Sequence, residues 1–155
     1  MAHIYSIVYQ PPEREYGRHT GDFIREPLDE ALLVADHGID GDRKAGRNPK
    51  RQLNLLGRAW LEALAPLGYT ITPGAFGEQL IIEGLDLEAL PAGQRLGLGA
   101  TAVIEITMPR NGCVRLEAAQ GLPNAPFNGR VGQLARVIIG GPIRPGDPVV
   151  LLDPQ

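Results

Sequence analysis

The stretch ARVIIGGPIRPGDPVVLL, residues 135–152, constrains the fold more than any other. Apolar runs of four or so residues are broken by Gly-Gly and by Pro-Gly-Asp, so the chain must turn back repeatedly after short extended segments. The same punctuation recurs throughout, with 20 glycines and 14 prolines in 155 residues. HIYSIVY near the start, ALLVA and QLIIE read as further strands, and a short strand or turn is expected around Phe23 and Ile24. Residues 102–108 alternate: Ala102, Ile104, Ile106 and Met108 face one way, and Pro109 is expected to end the strand. RQLNLLGRAWLEALAPLG carries the one strong helical pattern, a stripe of Leu53, Leu56, Trp60, Leu64 and Leu67 closed by Pro66 and Gly68. Many short strands and about one helix in a chain of single-domain length predict a mainly β, barrel-like fold for residues 1–155.

Function classes narrow on charge and cysteine usage. A net charge of −3 argues against a nucleic-acid partner. No apolar run is long enough to span a bilayer, and the N-terminal residues lack a signal-peptide pattern, so a cytoplasmic protein without a membrane partner is expected. A single cysteine forms no internal disulfide and builds no cysteine-rich metal cage.

Three constellations remain. GIDGDRKAGRNPKR, residues 38–51, places five of the fifteen basic residues (Arg43, Lys44, Arg47, Lys50 and Arg51) within nine positions and interleaves glycines. Cations on a glycine-bearing loop suit a small anionic ligand, although a solvated basic loop has the same look. PGAFGEQLIIEGLDL, residues 73–87, begins as a tight turn around Gly74, Gly77 and Glu78. MPRNGCVRLE, residues 108–117, sets Cys113 after Asn111 and Gly112 and between Arg110 and Arg115. Neighbouring arginines favour the thiolate, the form that acts as nucleophile or metal ligand, and one thiolate suits a soft metal whose other ligands come from a cofactor. A Cys–His pair using His3, His19 or His37 stays open, with no sequence context behind it.

In this order, GIDGDRKAG, RQLNLL, PGAFGEQLIIEGLDLEALPAGQRLGLG, EITMPRNGCVRLE and GRVGQLARVIIGGPIRPGDPV resemble the MOSC domain, named for the C-terminal domain of molybdenum cofactor sulfurase. The chain is similar to the small, free-standing bacterial members. The resemblance implies a mixed, largely closed β-barrel with peripheral helices. It implies a molybdenum–pterin cofactor, with molybdenum or tungsten as the metal, bound or served by Cys113. It places the family's Gly-Asp-Arg role on Gly41, Asp42 and Arg43, with Lys44, Arg47, Arg51, Gly77, Glu78, Arg110 and Asn111 completing the cofactor site. Reduction of N-hydroxylated compounds is the implied reaction, fed by an external electron-donor protein. The alternatives are a sulfur carrier or cofactor-delivery protein, with a persulfide on Cys113 and a cofactor-maturation partner, and a non-catalytic anion- or RNA-binding barrel. Lys44 departs from the histidine that many relatives carry after Gly-Asp-Arg.

Overall fold

The computed structural model describes residues 1–12, 25–112, 114–124 and 130–153. The expected element around Phe23 and Ile24, and Cys113 itself, lie outside the described residues. Eleven strands and two short α-helices make up the described chain: β1 (His3–Tyr9), β2 (Glu26–Pro27), β3 (Ala31–Val34), β4 (Gly38–Ile39), β5 (Leu53–Gly57), α1 (Arg58–Leu64), β6 (Leu80–Glu83), β7 (Arg95–Leu98), β8 (Ala102–Asn111), α2 (Val114–Gln120), β9 (Arg130–Ile139), β10 (Gly141–Ile143) and β11 (Val149–Leu152). Eight strands form one sheet in the order β11-β7-β8-β9-β5-β6-β1-β2, and β10-β3-β4 form a smaller one. Every pairing is antiparallel except β5 with β6.

The large sheet curls into a mainly β half-barrel. Its two flanks meet where the Ile4 amide donates to the Asp147 carbonyl at 2.9 Å and the Val149 amide donates to the Ala2 carbonyl at 3.0 Å. The small sheet adds Ala31, Leu33, Ile39 and Ile143 to the same apolar interior as Ile4, Leu55, Leu80, Ile104 and Val137. Removing this much apolar surface from water is the main force holding the curl.

A second apolar cluster lies on the outer face, where Leu56, Ile81 and Val131 meet Leu61, Leu64, Phe76 and Leu116. The stretch 52–68 differs from its helical reading for this reason. Residues 53–57 are a strand with Leu53 and Leu55 in the barrel and Leu56 under the helices, so all five residues are buried. The helix begins only at Arg58 and ends in a 3₁₀ turn, Ala65–Leu67, capped by left-handed Gly68. Leu67, the last residue of the expected stripe, is 58% exposed.

Strand β8 also runs further than its proline suggested. Pro109 sits opposite Gln133, and the register shifts between Ile106 and Met108 and again between Pro109 and Asn111. Such bulges tolerate a residue with no N–H to give the ladder. They also break the alternation: Ala102, Ile104 and Ile106 are buried, whereas Met108 is 41% exposed.

Gly132 lets β9 approach β5. It holds φ +76°, and a Cβ there would collide with the Leu55 carbonyl oxygen. Gly132→Ala should therefore lower unfolding stability by roughly 2 kcal/mol or more. Chemical denaturation of variant and wild type measures it, and equal midpoints would show that the strands do not meet as described.

Candidate functional site

The basic loop, residues 40–51, hangs between β4 and β5 and is tied down from inside. Asp42 is 6% exposed. Its Oδ1 accepts the Gln10 amide at 2.9 Å and its Oδ2 accepts Gln79 Nε2 at 3.1 Å. The Arg43 amide returns the link by donating to the Gln10 carbonyl at 2.8 Å. Both carboxylate oxygens are thus engaged within the protein, and the side chains that follow them in sequence turn outward. Lys44, Arg47 and Arg51 line a hollow of about 310 Å³ together with Asn48, Asn54 and Gln79. Gly41, exposed and at φ +82°, supplies the turn that starts the loop.

The second constellation forms the wall behind. Asn54 and Gln79 are cross-linked: Gln79 Oε1 accepts the Asn54 amide at 2.7 Å, and Asn54 Nδ2 donates to the Gly77 carbonyl at 3.1 Å. Arg25 Nη2 donates to that same carbonyl at 2.9 Å. Glu78 is 1% exposed and folds back on its own loop, accepting the Gly74 amide at 2.5 Å and the Phe76 amide at 3.1 Å. Arg110, 6% exposed, donates from Nη1 to the Phe76 carbonyl at 2.6 Å. The residue three places before Cys113 is therefore clamped to the loop that carries Glu78.

The third constellation opens beside the first. Arg51, Met108, Pro109, Asn111, Gly112 and Leu134 line a hollow of about 290 Å³. Arg51 belongs to both hollows, so the cationic loop and the end of β8 share a rim. The Thr107 hydroxyl donates to the Lys50 carbonyl at 2.6 Å and holds the loop against β8. Next in the chain after β8, α2 is fixed by Gln120, whose Oε1 accepts the Thr70 amide at 2.8 Å and whose Nε2 donates to the Ala75 carbonyl at 3.1 Å. Neither His3 nor His37 lines either hollow, and His19 lies outside the described residues.

The structure thus brings Lys44, Arg47, Arg51 and Asn111 to one continuous rim and sets Asp42, Gly77, Glu78 and Arg110 in the support beneath it. Arg43 is half-buried beside the node. Sequence reading missed Asn48, Asn54 and Gln79. The available signal was a lone amide side chain inside an apolar run, LNLLG for Asn54 and EQLII for Gln79.

Among the described residues no group of three or more His, Cys, Asp or Glu side chains is placed to hold a metal ion. Nor is any helix there long and apolar enough to cross a membrane.

A family model for the MOSC domain matches residues 42–150. The chain belongs to the MOSC domain family. Its fold matches YiiM from Geobacillus stearothermophilus with a TM-score of 0.72 at 23% identity, covering 99% of this chain and 76% of that one. YiiM from Escherichia coli gives 0.68 at 23% identity, with 100% and 71% covered. The YuaD protein from Bacillus subtilis gives 0.72 at 18% identity, with 96% and 94% covered. At these identities the likeness is one of fold. No curated protein matches the chain in sequence. In this MOSC domain the matched stretch opens at Asp42 and so takes in the cations of the loop, both hollows and the segment around Cys113.

Glu78 gives the site a pH signature. Burial pushes its carboxyl above the usual range, against the pull of the Gly74, Glu78 and Phe76 amides and the Arg110 guanidinium. The folded value lies above the unfolded one, so the stability this group contributes is full below the ordinary carboxylate value and is lost as pH rises through the folded value. Glu78→Gln cannot ionise. Its unfolding free energy should gain on the wild type as pH is raised from about 4 through that range. Calorimetry across pH measures the difference, and a gap that stays constant would contradict this account.

Proposed function

We propose that this chain is a molybdenum-cofactor-binding MOSC protein that reduces N-hydroxylated compounds, with Cys113 as its one protein ligand to the metal. The observation that carries the reading is Arg51, which lines the cationic hollow and the hollow before Cys113 alike.

The donor set suits a pterin cofactor. Lys44, Arg47 and Arg51 are three cations for a phosphate, and Arg51 can meet it as a planar fork. Asn48, Asn54 and Gln79 offer amides of both hydrogen-bonding senses for the edges of a pterin. Among the described residues no carboxylate lines either hollow to repel an anion.

When bound, the cofactor supplies the two-electron chemistry that removes oxygen from the N-hydroxyl group, with electrons delivered by a separate protein. The chain's own contribution is positional and electrostatic. The three cations anchor the anionic end. The Asp42–Gln79–Asn54 links hold the amide wall at a set distance from them. Arg110, anchored on the Phe76 carbonyl, fixes the direction in which the chain enters the cysteine turn. The cationic rim at Arg51 favours a thiolate at Cys113. Lys44, where many relatives have histidine, offers three donors and a fixed charge, which suits anion binding better than proton exchange near neutral pH.

Expression in a host that makes the cofactor, followed by elemental analysis, tests this. Wild type should carry molybdenum or tungsten, Cys113→Ser should carry none, and Arg51→Ala should retain about a tenth or less. Full metal retention by Cys113→Ser would overturn the assignment. Persulfide on Cys113 without turnover of an N-hydroxylated substrate would replace the reductase with a sulfur carrier.

A further inference from the structure

The parallel pair β5–β6 has two ends. Asn54 and Gln79, at its start, line the basic hollow; Gly57 and Gly84, at its finish, line another hollow altogether. Along β5 three residue steps, about 10 Å of extended chain, separate Asn54 from Gly57. The second hollow has a volume of about 510 Å³, within the range of small-molecule pockets.

Its walls are largely apolar, contributed by Ala59, Trp60 and Leu85. Trp60 is held edge-on against buried Phe76, with ring centroids 5.5 Å apart at 73°, so this wall is preformed. Among the described residues the only charged side chains lining it are two acids, Asp86 and Glu88. Glu88 is half-buried, and its Oε1 accepts the Gly57 amide at 2.8 Å, which aligns the carboxylate at the back of the hollow. Burial pushes its pKa up, and the charge of Asp86 adds to that push.

The neighbouring cation does not answer this charge. Arg58 is engaged by Glu62 at 3.0 Å and by Glu83 at 2.8 Å, and it stacks over the Tyr5 ring at 3.9 Å. Among the described residues neither Asp86 nor Glu88 has an ion-pair partner. The bond from the Gly57 amide accounts for one oxygen of Glu88 and for nothing about Trp60, Leu85 or Asp86. A carboxylate kept in an apolar hollow without a counter-charge costs free energy that a cation entering from solvent would offset.

We propose that this hollow binds a small organic ammonium ion with an aromatic or alkyl body, the charge meeting Glu88 and Asp86 and the body lying against Trp60 and Leu85. Charge complementarity selects the class. An anion is repelled by both acids, and a neutral molecule leaves Glu88 desolvated and unpaired. The indole face adds attraction for a cation that neither alternative gains.

Trp60 is the one tryptophan of the chain, so its fluorescence reports on the hollow directly. Phenylbutylammonium, titrated into the full chain, should change that fluorescence saturably. Phenylbutanol should bind at least about tenfold more weakly and phenylbutyrate not at all. Glu88→Gln should weaken the ammonium about tenfold. Ala59→Phe, at an exposed helical position, should fill the hollow and abolish binding with both acids intact. If Glu88→Gln does not fold, Asp86→Asn and Ala59→Phe carry the test. The proposal fails if no saturable response is seen, if the alcohol binds as well as the ammonium, or if Ala59→Phe binds normally. Metal content is read at the opposite end of the strands, so the cofactor assignment and this one stand or fall separately.

Discussion

One buried anion organises the cationic rim. The Asp42 carboxylate sits where the end of β1, the start of the basic loop and the start of β6 converge, and it accepts from Gln10 and Gln79. From Gln79 the bonds continue through the Asn54 amide to the Gly77 carbonyl. One residue earlier, the Phe76 carbonyl receives Arg110. Three segments far apart in sequence are thereby held in register by polar contacts that water cannot replace without opening the core. In such a chain each bond polarises the next, and loss of one partner leaves a buried donor or acceptor unmet, costing about 1–3 kcal/mol. The cationic rim thus rests on a buried carboxylate whose two oxygens are engaged within the protein.

The barrel-like fold was legible in the spacing of turns, because proline fixes φ and glycine admits the left-handed conformations that tight turns need. The stretch 53–57 was not. A strand flanked by apolar cores on both faces loses its period-two alternation, and five buried residues running into a real helix extend that helix's stripe backward. Leu53 and Leu56 fit the helical spacing by coincidence of length. Helix α2 escaped for the opposite reason: VRLEAAQ makes only about two turns, too brief to show a stripe, and its place is set by Gln120 and Leu116 gripping distant segments.

For the site, residue types with a chemical character visible in isolation were found, and those whose role is relational were not. Clustered cations and a lone cysteine announce themselves. Asn54 and Gln79 look like interruptions of apolar strands until the parallel pairing of β5 with β6 sets them side by side. Glu78 and Arg110 were picked out as candidate ligand contacts, and their geometry describes loop fasteners, each bonded to the backbone of residues 74–76. Only tertiary contacts separate a polar group that greets solvent from one that braces a turn.

The displaced registers of β8 set what a substitution along it would alter. Up to Ile106 the strand is a stave of the barrel, and its inward side chains are dictated by close packing. Past the bulge between Ile106 and Met108, the side chains of Met108, Pro109 and Asn111 are exposed and Arg110 alone is buried. Packing and exposure are therefore divided between two halves of one continuous ribbon. A substitution at Met108 or Asn111 changes the surface of the hollow that those residues line, whereas one at Ile104 or Ile106 opens the core.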